Sequence, residues 1–157
     1  LSERSGTWAG ETPDDSVVSD IVHEVIAQLP IAHRARVEVS GEGALALHAP
    51  RRSLVQSLVN IVRNALDAAP GQVQLAAEGA QRNVVFRVTD SGPGFAKDVL
   101  DRFGEPFVTT KPRGEGLGLG LFLALSFANN VGGSMRIGTR ARGGAEVVLE
   151  VPRTRPA

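Results

Sequence analysis

The chain has 157 residues, 42% of them apolar, and its 17 Lys plus Arg are matched by 17 Asp plus Glu. That length supports one domain with a real core, and the balanced charge excludes a global field that would draw it to nucleic acid or an acidic membrane surface. There is no Cys, which excludes disulfides and thiolate metal sites and fits a reducing compartment; no apolar run approaches the ~20 residues of a membrane span, and no signal or targeting segment is visible.

Residues 1–15 read as a linker or domain edge containing a solitary Trp8, the domain as 16–152, and 153–157 as a tail. Asp14 or Asp15, after Pro13, is expected to N-cap a first amphipathic helix. That helix carries Val17, Val18, Ile21, Val22, Val25, Ile26 and Leu29 and ends at Pro30. Residues 36–40 and 44–48 read as two short strands joined through Gly41 and Gly43. A long helix spans about 50–69 and stops at Pro70-Gly71. Strands at 73–78 and 84–90 follow, joined by a turn at 79–83, and the second, a more continuous apolar run, is expected to be interior. A short helix at 97–103, an irregular segment at 104–116 and a third long helix at 117–130 come next. Gly132-Gly133 ends that helix, and strands at 135–139 and 145–151 close the domain. Hairpins are too frequent for a doubly wound parallel sheet, so the expected fold class is α/β in the sense of an α+β two-layer sandwich: a mixed, mostly antiparallel sheet with helices on one face.

The helix at 50–69 carries the first chemical signal. At about 100° per residue, Asn60, Asn64 and Asp67 fall on one stripe, extended by Ser53 and Ser57. Leu54, Leu58, Ile61, Val62, Ala65, Leu66 and Ala69 form the opposite, apolar face. A polar face can simply meet water, yet Asn is a poor helix former, and two of them one turn apart need a reason. Two carboxamide oxygens on one stripe can share a magnesium ion with a polyphosphate.

Asp90-Ser91-Gly92-Pro93-Gly94 puts a carboxylate at the end of a buried strand, before a stretch with little side-chain bulk. It can be an ordinary turn; it can also accept from an exocyclic amine while the glycines let backbone approach a flat ring. Gly114-Glu115-Gly116-Leu117-Gly118-Leu119-Gly120-Leu121 opens a helix whose first-turn amides and dipole favour an anion. The alternating Leu117, Leu119 and Leu121 suggest a segment that packs while its backbone binds. Between the two lies the irregular segment, with Phe103 and Phe107 as anchors and Lys111 and Arg113 as cations that are either solvated or meet phosphate.

In order, Asn-x-x-x-Asn-Ala-x-Asp-Ala, Asp-x-Gly-Pro-Gly-Phe, Glu-Pro-Phe-x-Thr-Thr-Lys and Gly-Leu-Gly-Leu-Gly-Leu resemble the catalytic, ATP-binding domain of sensor histidine kinases, of the ATPase superfamily shared with gyrase, MutL and the heat-shock chaperone. The resemblance covers about residues 16–152, and the runs at 98–107 and 116–124 look most like RegB/PrrB-type kinases. It implies a Bergerat-type fold that binds ATP with Mg2+ and transfers the γ-phosphoryl group to a His on a separate domain. By position it implies Asn60 and Asn64 as magnesium ligands and, with Lys111, as catalytic residues. Asn64, Asp67, Asp90, Gly92, Gly94, Lys111, Gly116, Leu117, Gly118, Leu119 and Gly120 would bind the nucleotide, Asp90 reading adenine and residues 104–116 forming a lid. Where related ATPases often have Gly-x-Gly-Thr, this chain has Gly143-Gly144-Ala145, which puts a hydroxyl contact on the adenine side in doubt.

The resemblance further implies a histidine-bearing dimerisation domain of the same kinase as partner, a response regulator indirectly, no nucleic acid and no membrane contact by this fragment. The fragment is expected to be monomeric, the full kinase homodimeric, and the domain cytoplasmic. His23-Glu24 is not expected to be the phosphoacceptor, because Pro30 is too distant and the span to Asn60 too short for a helical hairpin. His33 and His48 show no partner pattern. The alternative is a hydrolytic ATPase or an anti-sigma-factor-like serine kinase, but those families generally have Glu where this chain has Asn60.

Overall fold

The computed structural model describes residues 11–103 and 117–153. Among the described residues, five strands form the main sheet, in the order β2 (Val37–Gly41), β4 (Val73–Ala80), β5 (Asn83–Thr89), β7 (Ala145–Pro152) and β6 (Ser134–Thr139), and a separate two-stranded sheet pairs β1 (Asp14–Val17) with β3 (Ala46–Ala49). The first surprise is β1 (Asp14–Val17), which pairs antiparallel with β3 (Ala46–Ala49). Asp14 and Asp15 are therefore strand residues and not helix caps. Helix α1 (Val18–Ala27) starts from Val17 without a side-chain cap. Backbone does that work: the Val18 and Ser19 amides donate to the carbonyls of Leu45 and Gly43 at 2.9 Å, satisfying donors that a helix start otherwise leaves open. His48, opposite Asp15 in the ladder, places Nδ1 2.8 Å from the Asp15 carboxylate, so it does have a partner.

After the short α2 (Ile31–Arg34), β2 (Val37–Gly41) and β3 are consecutive but not paired with each other. The chain between them is committed to capping α1, while β2 takes the sheet edge in parallel with β4 (Val73–Ala80). Helix α3 (Arg51–Ala68) matches the expected span. Its start is held by Glu11, whose carboxylate accepts from the Arg52 amide at 2.8 Å and the Ser53 hydroxyl at 2.6 Å. Its end is held by Arg36, which donates to the carbonyls of Gly71 at 2.9 Å, Leu66 at 3.1 Å and Ala69. An acid at the N-terminus and a cation at the C-terminus both complement the helix dipole.

Strand β5 (Asn83–Thr89) is the central strand, as its apolar run predicts. The β4–β5 ladder continues to Ala80↔Asn83, so the connection is only Gln81-Arg82 and tighter than expected. Short α4 (Lys97–Arg102), α5 (Leu117–Asn130), β6 (Ser134–Thr139) and β7 (Ala145–Pro152) complete the order. On one sheet face Leu75, Phe86, Val88, Val147 and Leu149 join Leu54, Leu58, Ile61 and Val62 of α3 and Ala124 and Phe127 of α5 in one core. Fully burying each of these Val, Leu, Ile and Phe side chains contributes roughly 1.5–3 kcal/mol. On the other face Val85 and Val148 are buried outside that core. That face also carries Arg87, ion-paired with Glu146 and Glu78, and Arg136, paired with Glu150. The hydrogen bond that Arg87 donates to Glu146 raises the Arg87 pKa above its ordinary value.

Candidate functional site

The polar stripe of α3 lies where two other segments converge. Asn60 and Asn64 are half-buried and Asp67 is exposed. Gly120, in the first turns of α5, faces the stripe closely enough that a Cβ there would stand 3.8 Å from Cβ of Asn60. At the far end of the stripe, a Cβ on Gly92 would stand 3.3 Å from Cβ of Ala68. So Gly120 of α5 lies near Asn60, and Gly92 of the Asp90–Gly94 loop lies near Ala68 at the C-terminal end of α3. Ser57, counted on the stripe, is instead buried at 5% exposure. It lies on a helix covered by α1 and α5 as well as by the sheet, so its buried face is wider than one apolar stripe.

The carboxamide of Asn60 accepts a 3.2 Å hydrogen bond from Gln56. Asn64 and Asp67 make no hydrogen bond among the described residues. No cluster of three or more His, Asp or Glu able to hold a metal exists among the described residues. A cation here would therefore rest on neutral carboxamide oxygens and need its remaining ligands from an anionic ligand and water. That donor set suits magnesium, a hard cation that keeps waters and shares phosphate oxygens.

Asp90 follows β5 directly and is only 5% exposed. Its Oδ1 accepts from the amides of Gly92 at 2.8 Å and Ala145 at 3.2 Å. Its Oδ2 has no partner among the described residues. A buried carboxylate oxygen without a donor is costly, and an amine on a planar base would supply one. Gly94 and Gly144, at φ 86° and 99°, hold backbone shapes that side-chain-bearing residues avoid. A Cβ on Gly144 would also overlap the Asp90 carbonyl at 2.0 Å. The departure at Gly143-Gly144-Ala145 is thus accounted for in part: position 145 serves Asp90 through its amide, with no hydroxyl.

On α5, Leu121 is buried, but Leu119 is 60% exposed and Leu123 41%. The expectation that all the alternating leucines pack is corrected for Leu119, since an i, i+2 spacing puts leucines on different sides of a helix. Leu117 and Gly118 open the helix, whose first amides lack intrahelical acceptors. Lys111, Arg113, Gly116 and the rest of 104–116 lie outside the described residues, as does Trp8. Exposed His23 stands on α1, apart from the polar stripe.

Sequence reading missed four contributors. Arg36 anchors the end of α3. Thr139 bonds the Phe95 backbone, Arg140 donates to the Asp90 carbonyl at 3.3 Å, and the Ala145 amide serves the Asp90 carboxylate. The one available signal was the Gly143-Gly144 turn beside them; nothing local marks Thr139 or Arg140.

Residues 49–155 match the family described as histidine kinase-, DNA gyrase B-, and HSP90-like ATPase. The chain is similar to the C4-dicarboxylate transport sensor protein DctB of Pseudomonas aeruginosa, 32% identical over 91% of this chain and 25% of that protein. It is also similar to the sensor histidine kinase GtrS of the same organism, 34% identical over 88% of this chain and 29% of that protein. The chain thus spans about a quarter of the length of these curated relatives. Among solved structures, it resembles the nucleotide-free catalytic domain of histidine kinase ThkA with a TM-score of 0.78 and 25% identity, covering 90% of this chain and 96% of that one. Full-length ShkA in complex with AMPPNP is similar with a TM-score of 0.74 and 29% identity, over 92% of this chain and 32% of that one. These relatives do not single out the RegB/PrrB type.

Proposed function

The chain belongs to the histidine kinase-, DNA gyrase B-, and HSP90-like ATPase family, as a histidine-kinase catalytic domain, and we propose that its site binds magnesium-ATP for transfer of the γ-phosphoryl group to a histidine on a separate dimerisation domain. The observation that carries this reading is the Asp90 carboxylate, buried, anchored through Oδ1 and open at Oδ2. Asp90 accepts from the adenine amine while Gly92 and Gly94 run beside the base. Asn60 and Asn64 hold the magnesium ion, which when bound neutralises triphosphate charge. The first-turn amides of α5, from Leu117 to Gly120, meet the phosphates. Asp67, exposed next to Asn64 on the stripe, lies toward the base end. Lys111 and Gly116, outside the described residues, complete the set by family resemblance.

Phosphoryl transfer asks mainly for positioning and charge stabilisation, and this chain's neutral Asn60 offers no base for water. That favours a kinase over a hydrolytic ATPase or a serine kinase of the anti-sigma-factor kind. The exposed Leu119 and Leu123, beside the phosphate end, form an apolar contact for the dimerisation domain. The domain is proposed to act in the cytoplasm, where ATP is available, within a homodimeric sensor whose phosphohistidine supplies a response regulator. The test is titration of the chain with ATP with and without magnesium, then label transfer to a supplied histidine-bearing domain. Magnesium-independent binding, or no transfer from a domain that binds ATP, counts against the proposal.

A further inference from the structure

Thr139 ends β6 and reaches across to the loop that follows Asp90. Its hydroxyl accepts from the Phe95 amide at 3.2 Å and stands 3.4 Å from the Phe95 carbonyl, to which it donates. Its methyl closes on Gly94, where a Cβ would come within 2.6 Å of it. The same loop sends the Gly92 amide back to Asp90 Oδ1 at 2.8 Å. The β6–β7 hairpin therefore grips both ends of this segment: Phe95 through Thr139, and Asp90 through Arg140 and the Ala145 amide. Thr139 is itself exposed. Its hydroxyl would be satisfied by water without these bonds, so burial gives no reason for them.

We propose that Thr139 is a positioning residue for base recognition: it fixes the loop so that the Gly92 amide holds Asp90 with Oδ2 turned to the base amine. This rests on the nucleotide reading above. Without the hydroxyl the loop loosens, the Gly92 bond to Oδ1 weakens, and the carboxylate is free to turn. Affinity for ATP falls, and with it the preference for a base that carries the amine. A residue that merely supported the fold would lower thermal stability and leave that preference unchanged.

The experiment titrates ATP and inosine triphosphate, which lacks the amine, into the chain with magnesium present. Wild type, Thr139→Val, Thr139→Ser and Asp90→Asn are compared, with melting curves taken without nucleotide. Thr139→Val is expected to bind ATP about tenfold more weakly, the size of one net hydrogen bond, and to narrow the ATP preference by a similar factor. Thr139→Ser, which keeps the hydroxyl, retains both. If valine is not accommodated, Thr139→Ala read beside Thr139→Ser decides the same question. A hydroxyl-free variant that keeps the wild-type preference overturns the proposal. If Asp90→Asn loses the preference in that case, the nucleotide reading stands and only Thr139's role fails. If Asp90→Asn also behaves as wild type, the nucleotide reading fails with it.

Discussion

The amide of Ala145 donates to Oδ1 of Asp90 at 3.2 Å, joining residues 55 positions apart. With the Gly92 amide on the same oxygen, the carboxylate is oriented and Oδ2 is left as the acceptor. Asp90→Asn keeps one oxygen for the two amides and replaces the other by an NH2 group that cannot accept. Hydrogen bonds to charged groups contribute about 1.5–3 kcal/mol, so ATP affinity is expected to fall roughly 10- to 100-fold. Calorimetry reads the change, and a melting curve like that of wild type shows the loss to be local. Unaltered ATP binding would take Asp90 out of base recognition.

Asn64 is half-buried on the stripe and uncommitted among the described residues. In the proposed role its neutral carboxamide would engage phosphate through the metal, by its oxygen. Asn64→Ala is expected to weaken ATP about tenfold with magnesium, on the order of one hydrogen bond or ligand contact, and to change little when magnesium is chelated. Paired titrations in the two conditions decide it. An equal loss in both moves Asn64 away from the metal.

Asn60 sits between the Gln56 amide and the first turns of α5. A carboxylate there could activate water, and general-base catalysis typically contributes ~10²–10⁴-fold. Asn60→Glu is expected to raise slow ATP hydrolysis by less than that range, since the new charge also disturbs the metal. The assay is steady-state phosphate release at saturating ATP. A variant that binds magnesium-ATP but hydrolyses no faster would leave Asn60 a metal ligand only.

Leu119 and Leu123, one turn apart on α5, are 60% and 41% exposed. Replacing both with Gln is expected to reduce phosphoryl transfer to a separate histidine-bearing domain at least tenfold, the effect of losing roughly 1.4 kcal/mol of docking energy. ATP affinity should stay within about twofold if α5 meets the phosphates through its amides, as proposed, and not through these side chains. Transfer kinetics against acceptor concentration make the measurement, and an unchanged rate would free these leucines from docking.

Arg36 donates to three carbonyls at the end of α3. Arg36→Ala is expected to cost about 2 kcal/mol, toward the range for charge-assisted bonds, and to lower the melting temperature by roughly 4–8 °C for a domain of this size. Because Ala68 and Gly92 meet there, ATP affinity should fall as well. A melting temperature equal to wild type would mean that water replaces the guanidinium at no cost.

The sequence by itself determined the elements whose signal is local. The 3.6-residue period drew α3 between Pro50 and Pro70 and put Asn60, Asn64 and Asp67 on one stripe. The apolar run at 84–89 marked the central strand, and α5 was legible from the glycines at its start and end. Tertiary structure decided what depends on partners far along the chain. Asp14 and Asp15 look like caps, but the carbonyls of Gly43 and Leu45 cap α1, and the aspartates go to a strand instead. Strands β2 and β3 look like a hairpin, but each finds a better neighbour in another element. Thr139, Arg140 and the Ala145 amide reach Asp90 and Phe95 across 44 to 55 residues. No short window contains both ends of such a bond: periodicity reports which side of an element is buried, and only the assembled sheet decides what that side meets.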